Sequence, residues 1–406
     1  MLILYNKKKN IIFFKLMEVI MNNYYKLNVL VILIILFSLI IATPGFALMP
    51  FETPAQSAVL MESSTGQIIY EKNADIAMPP ASITKIMTLL LGIEALEGNR
   101  VSWDDLVPIS EKAWRMVGSR MFLEVGKTVS YGDLITGISV VSANDGCIAL
   151  AEYLYGSEEL FVDIMNKRAR ELGLTQTNFA NSTGLPAEGH QMTARDIAIL
   201  ANYIIQNYPL ILELESQREF TFNEIPQYNR NPLLGNFPGA DGLKTGWTSE
   251  AGYCLVGTAK QNDMRMISVV LNTENEQERL TASQHLLNHG FRNFEIITAT
   301  EAFDIVDDID VLEGKLLTVP LKINESLSVV VPKTEIDNIN IVLEKNDEAL
   351  FAPVKSDTIV GTLSVKVGKN VLSTTDVFTA EDVPKAGFFE LLFRRIGNFF
   401  RSLFNI

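Results

Sequence analysis

Pro79-Pro80-Ala81-Ser82-Ile83-Thr84-Lys85 opens the stretch that decides the fold. The spacing predicts a helix over 81–96, started behind the two prolines and stopped at Gly98. Ile83, Ile86, Met87, Leu89, Leu90, Leu91 and Ile93 cover nearly every side of it. A helix that is apolar all round belongs at the centre of a domain, so the rest of the chain must wrap around this one. Yet Ser82 and Lys85 stand at its head. Residues three apart share a helix face, with Cβ atoms about 5–6 Å apart. A buried element therefore carries a hydroxyl with an amine beside it.

Working outward, strand patterns lie on both sides. Ahead of the helix, residues 57–62 and 67–71 read as a hairpin turned at Ser63-Ser64-Thr65-Gly66. Helices are expected over 131–139, 144–154, 160–172, 194–206 and 277–288. Thr193 with Asp196 forms a helix-start pair. Strands return over 253–259 and 264–271, turned at Gln261-Asn262-Asp263. Strands at both ends with helices between give an α+β class, one antiparallel sheet covered by helices. From Ala302 helical periodicity stops. Short apolar runs alternate with Pro, Asn, Asp and Gly, which reads as a small all-β domain over 302–378 with a spacer or partner-binding role.

Two further patterns carry the chemistry. Ser82 is the one serine with lysine at i+3, Ser142 the one serine with asparagine at i+2, and Lys244 the one lysine followed by Thr-Gly. A serine hydroxyl needs a base beside it to attack. Lys85 can be that base if burial and a second cation, for which Lys244 is available, lower its pKa. Ser142 can give and accept a hydrogen bond, and so relay a proton to a leaving amine. Asn144 offers an amide to orient Lys85 and bind a substrate carbonyl. Lys244 and Thr245, expected at the start of a strand, suit a carboxylate. Gly246 lets substrate approach the backbone. The N–H groups of Ser82 and Trp247 suit an oxyanion hole. No Ser-His-Asp triad is required.

The trio S-x-x-K, S-x-N and K-T-G is shared by penicillin-binding proteins and β-lactamases, with Ala143 where class A β-lactamases carry Asp. With Leu60-Met61-Glu62, Thr65-Gly66, Asn73-Ala74-Asp75, Pro80-Ala81-Ser82 and Asp241-Gly242-Leu243 before the third motif, the chain resembles the low-molecular-weight D-alanyl-D-alanine carboxypeptidases, serine peptidase family S11. The resemblance spans the chain beyond its leader. It implies a DD-peptidase/β-lactamase-like fold, an acyl-enzyme on Ser82 and removal of the terminal D-alanine from peptidoglycan pentapeptides. It also implies covalent inhibition by β-lactams, no cofactor, Lys85 as base and Lys244 as substrate ligand. Arg279 falls where the family has an arginine near the substrate carboxylate, although among Glu274, Glu276 and Glu278 it also reads as a solvated ion-pair partner. Trp247 follows K-T-G where family members vary, a place to tune specificity.

Rival readings fare worse. A β-lactamase of class A needs a deacylating Glu, and no Glu-x-x-Leu-Asn element lies between the second and third motifs. A non-catalytic wall or β-lactam sensor would not require intact motifs. His285 and His289 are spaced as in a zinc helix, but Leu286 stands where H-E-x-x-H needs Glu, so no metal is expected. Cys147 and Cys254 read as small buried thiols. A net charge of −14 argues against a nucleic-acid partner.

The two ends suggest export. Residues 27–42 are almost unbroken apolar, and Gly45-Phe46-Ala47 fits a signal-peptidase site, so residues 1–47 read as a signal peptide. Met21 makes the more natural start, because Lys26 then supplies the n-region charge. The catalytic domain is then 48–297. At the other end, residues 384–406 form an amphipathic helix with Phe388, Phe389, Leu392, Phe393, Ile396, Phe399, Phe400, Leu403, Phe404 and Ile406 on one side. Glu390, Arg394, Arg395, Asn398, Arg401, Ser402 and Asn405 lie on the other, and Leu391 is the misfit. That pattern suits a helix lying in the lipid headgroup boundary. The expected location is the outer face of the bacterial cytoplasmic membrane, peripherally attached.

Overall fold

The structure is a computed structural model describing residues 51–404. The signal-peptide reading and the alternative start at Met21 lie outside the described residues. Thr53 onward forms one compact unit.

The helix Lys85–Glu97 is its axis. Ile86, Met87, Leu89, Leu90 and Ile93 are all buried to within 1% of full exclusion from water, each contributing about 1.5–3 kcal/mol by leaving water. Gly98 ends it, its N–H returning to the carbonyl of Glu94. Around it pack Tyr131–Val140, Asn144–Tyr155, Glu158–Glu171 and Ala194–Asn207. Thr193 caps the last of these, its hydroxyl accepting from the Asp196 N–H.

These helices cover a five-stranded antiparallel sheet. In spatial order its strands are Ile68–Lys72, Ser57–Glu62, Met264–Thr273, Gly252–Gln261 and Ala240–Thr248. The hairpin from the start of the chain thus joins strands some two hundred residues on, which local pattern cannot reveal. Helix Glu276–Asn293 packs on the same sheet. Lys244-Thr245-Gly246 lies in the middle of the edge strand Ala240–Thr248, not at its start. The strand begins earlier because Asp241 is held by a two-pronged ion pair to Arg265 at 2.7 Å on each arm.

Strands beyond the helices begin at Phe294, ahead of Ala302. Phe294–Thr300 pairs with Leu327–Pro332, and six further strands form a second sheet. The earlier start has a physical reason: Ile296 and Ile297 sit opposite Val330 and Val329, a pairing invisible without the partner strand. This region has its own core, including Val319, Leu321, Val329, Val365 and Val377. It is fastened to the catalytic region by Gln67, whose amide donates to the Val330 carbonyl and accepts from the Val330 N–H. Lys333 Nζ adds a bond to the Phe291 carbonyl.

The tail forms helix Phe388–Phe404. Arg394 donates to the carbonyls of Gly314 and Lys315, so the polar side faces the β-rich region. Phe388, Phe389, Leu392, Phe393 and Ile396 are exposed. Leu391, off the apolar stripe, is half-buried three residues from Arg394 and so shares its face. No described helix is long and apolar enough to cross a membrane.

Candidate active site

Ser82 lies in a short 3-10 turn, Ala81–Thr84, and the α-helix proper starts at Lys85. Ala81 is held at φ +48°, in the left-handed region that an alanine normally avoids. Such a residue costs about 1–3 kcal/mol and persists only where its surroundings impose it. Ser142 is a second case, at φ +60°. Both strained positions flank or form the groups with chemistry to do.

Lys85 Nζ lies 2.9 Å from Ser82 Oγ and donates to the Thr183 carbonyl at 2.6 Å. It is fully buried. Burial lowers its pKa to about 8, with Lys244 and Arg230 pushing the same way against Cys147 and Asp145. The Cys147 thiol is itself kept neutral by burial, its pKa raised to about 12. A lysine in this state is neutral often enough to take a proton from Ser82.

The lysine's orientation differs from expectation. Asn144 does not hold it; the Asn144 amide nitrogen donates to the Val117 carbonyl at 2.7 Å, and its Oδ1 has no partner. Thr183 does the holding, on a loop that motif reading passed over. Asn181 Oδ1 accepts from the N–H groups of Thr183 and Gly184, and so shapes that loop. At Gly184, φ is +85° and a Cβ would stand 1.8 Å from the Ala81 carbonyl oxygen, so glycine is required. His190 braces the same region. Its Nδ1 accepts from the Ala180 N–H, which leaves Nε2 to donate to Thr84 Oγ1 at 2.7 Å. Burial holds this imidazole neutral, with a pKa of about 4. Asn181-Ser182-Thr183-Gly184 has turn composition, a signal for the loop but not for its contact with Lys85.

Ser142 Oγ is buried and has no partner. A buried hydroxyl without a hydrogen bond is uncommon and calls for an explanation. Here it lines a cavity of about 900 Å³ together with Ser82, Asn144, Thr245, Trp247 and Arg279. Gly246 brings the motif strand against Ser82: a Cβ there would lie 3.2 Å from the Ser82 nitrogen and 3.0 Å from the Pro80 carbonyl. Lys244 is buried beside this surface and Thr245 nearly so. Trp247 is 58% exposed at the rim, its ring against Tyr253.

Arg279 is not the solvated partner its acidic neighbours suggested. It is 5% exposed, its guanidinium lies over the Tyr253 ring at 5.6 Å, and Glu276 is 3.9 Å away. Its Nε is unpartnered. A second cation at the cavity, Arg230, donates to Ser119 Oγ at 2.9 Å. Sequence gave no sign of Arg230, which sits between two asparagines in an irregular segment.

This geometry suits acylation of a serine. A family model described as D-alanyl-D-alanine carboxypeptidase, peptidase S11, matches residues 45–275. A second, penicillin-binding protein 5 C-terminal domain, matches residues 294–385. The chain belongs to peptidase family S11. It is 38% identical to D-alanyl-D-alanine carboxypeptidase DacF of Bacillus subtilis over 85% of this chain and 90% of that protein. Among solved structures, penicillin-binding protein 5 from Haemophilus influenzae superposes with a TM-score of 0.79 at 35% identity. That match covers 83% of this chain and 99% of the other. Penicillin-binding protein D2 from Listeria monocytogenes, in its ampicillin-bound form, gives 0.55 at 34% identity over 59% of this chain and 99% of the other. This S11 chain is thus a D-Ala-D-Ala carboxypeptidase of the penicillin-binding class, with the mixed catalytic and all-β regions of that fold.

Proposed function

We propose that the enzyme trims the terminal D-alanine from peptidoglycan pentapeptide stems through an ester on Ser82. The observation carrying this reading is the buried Lys85 amine within 2.9 Å of Ser82 Oγ. Lys244, Thr245 and Arg279 hold the substrate's terminal carboxylate, and Trp247 and Asn144 border the bound chain. Neutral Lys85 takes the proton as Ser82 Oγ attacks the penultimate carbonyl. The Ser82 and Trp247 N–H groups receive the developing oxyanion, such a donor being worth about 10²–10³-fold. The tetrahedral adduct collapses, its C–N bond breaks, and a proton passed by Ser142 leaves with D-alanine. Water then cleaves the ester, giving back the Ser82 hydroxyl and the shortened stem. A β-lactam takes the same path to a covalent adduct on Ser82.

The enzyme is exported and rests on the outer face of the cytoplasmic membrane through its tail. Support comes from the exposed phenylalanines of that helix and from Arg394, which turns its polar side inward. Removal of residues 388–406 is expected to release the processed enzyme from the membrane fraction; full retention would refute the attachment.

The decisive assay is release of D-alanine from diacetyl-Lys-D-Ala-D-Ala, with Ser82→Ala in parallel. One equivalent per peptide from wild type and none from the variant is expected. Covalent penicillin labelling that survives Ser82→Ala would refute the nucleophile.

A further inference from the structure

Beneath the motif strand lies a carboxyl group that none of these steps uses. The short helix Leu210–Glu215 ends on Glu215, 1% exposed, and neither of its carboxylate oxygens has a hydrogen-bond partner. Ser139 Oγ, from helix Tyr131–Val140, faces it without completing a bond. An acid buried in this way is costly when charged unless an opposite charge answers it.

That charge is Lys244. A Cβ at Gly242 would lie 3.7 Å from Glu215 Cβ, an ordinary contact distance, so the short helix rests directly against the strand at this point. Gly242 and Lys244 stand opposite Thr258 and Val256, which lie two apart on the neighbouring strand Gly252–Gln261 and so share its face. Glu215 therefore approaches the side of the strand from which Lys244 projects. Burial lowers the lysine's pKa and Glu215 opposes it; burial raises the acid to about 7 and Lys244 opposes that. Arg230 and Arg279 add repulsion around Lys244, and the Cys147 thiol near it is neutral. Lys85 heads the neighbouring central helix, with Asp145 acting on it.

We propose that Glu215 is a positioning residue for the third motif: its buried carboxyl keeps the Lys244 ammonium charged and ready for the substrate's terminal carboxylate. Removing the acid leaves Lys244 among like charges only, and it loses its proton at lower pH. This rests on the reading that Lys244 receives that carboxylate.

The test is the pH dependence of penicillin acylation by the full chain, comparing wild type, Glu215→Gln and Glu215→Asp. The Gln variant keeps shape and loses charge. Its alkaline limb is expected to fall to lower pH by about one unit or more, while Asp preserves the wild-type limb. Coincident limbs for wild type and Gln, or a loss equal at every pH, would overturn the proposal. Penicillin methyl ester separates the two ideas: if wild type shows the same alkaline limb with the ester, the carboxylate reading of Lys244 fails, whatever Glu215 does. Should the Gln variant not fold, carbon-13 titration of wild type decides. A shared step in the Lys244 Cε and Glu215 Cδ signals is expected, and independent titrations would overturn the couple.

Discussion

The catalytic and β-rich regions treat buried polar groups in opposite ways. Among the described residues, the buried side-chain polar atoms without a partner belong to Ser139, Ser142, Asn144, Glu215, Gln227, Asn231 and Arg279. Every one lies in the catalytic region, and Ser142, Asn144 and Arg279 line its cavity. Between Phe294 and Ala386 the described residues contribute none. There, Ser364 and Thr379 are buried, and Thr379 Oγ1 donates to the Lys355 carbonyl. An unpaired buried group costs about 1–3 kcal/mol. The β-rich region satisfies its buried polar side chains, whereas the catalytic region leaves several unpaired, three of them on its cavity.

Three substitutions or conditions can break or sharpen this contrast, in falling order of effect on acylation. Gly184→Ala should be the most damaging. Its Cβ has no space against the Ala81 carbonyl, so the loop must move and carry the Thr183 carbonyl away from Lys85. Misplacement of about 1 Å at such a point costs about 10²-fold, readable as the rate of fluorescent penicillin labelling; a wild-type rate would show that Thr183 does not place the base.

Next comes pH. With Lys85 at about 8, protonation removes the base below that value, so acylation should fall about tenfold per pH unit on the acid side. Stopped-flow acylation between pH 6.5 and 9 checks this, and a flat profile would mean that another group takes the proton. The same shift bears on stability. Lys85 binds its proton more weakly folded than unfolded, so folding is penalised below about 8 and the penalty fades as pH rises toward the ordinary lysine value. That runs against the usual preference for neutral pH and belongs to the catalytic region only.

Leu321→Ala should do least to acylation and most to the stability of the other region. The side chain is wholly buried in the β-rich core, and its loss should cost about 2–5 kcal/mol. A lowered denaturation midpoint with an unchanged labelling rate is expected; a parallel fall in both would mean that the regions are coupled.

How much could be read in advance follows the same divide. The buried helix after Pro80, the hairpin at Ser63–Gly66 and the Thr193 cap were legible because each rests on spacing or local turn chemistry. Ser82, Lys85, Ser142 and Lys244 were legible because their spacings occur once. The holder of Lys85 was not, since Thr183 acts through a backbone carbonyl, which every residue type carries. Arg230 and Glu215 escaped for a related reason: they lie in irregular or very short elements, and their meaning comes from what folds beside them. For Arg279 the sequence left two readings open, a substrate ligand and a solvated partner, and its burial against Tyr253 removes the second.

The clasp of Gln67 on Val330 sets the bearing of the whole molecule. Gln67 follows the turn at Ser63–Gly66, beside the edge strand farthest from Lys244, and the turn at 261–263 lies at that same end, since the Ser63 N–H bonds the Arg265 carbonyl. The cavity opens at the other end, around Trp247 to Glu250 and the start of helix Glu276–Asn293. The β-rich region is thus a pedestal under one pole and the mouth is at the opposite pole.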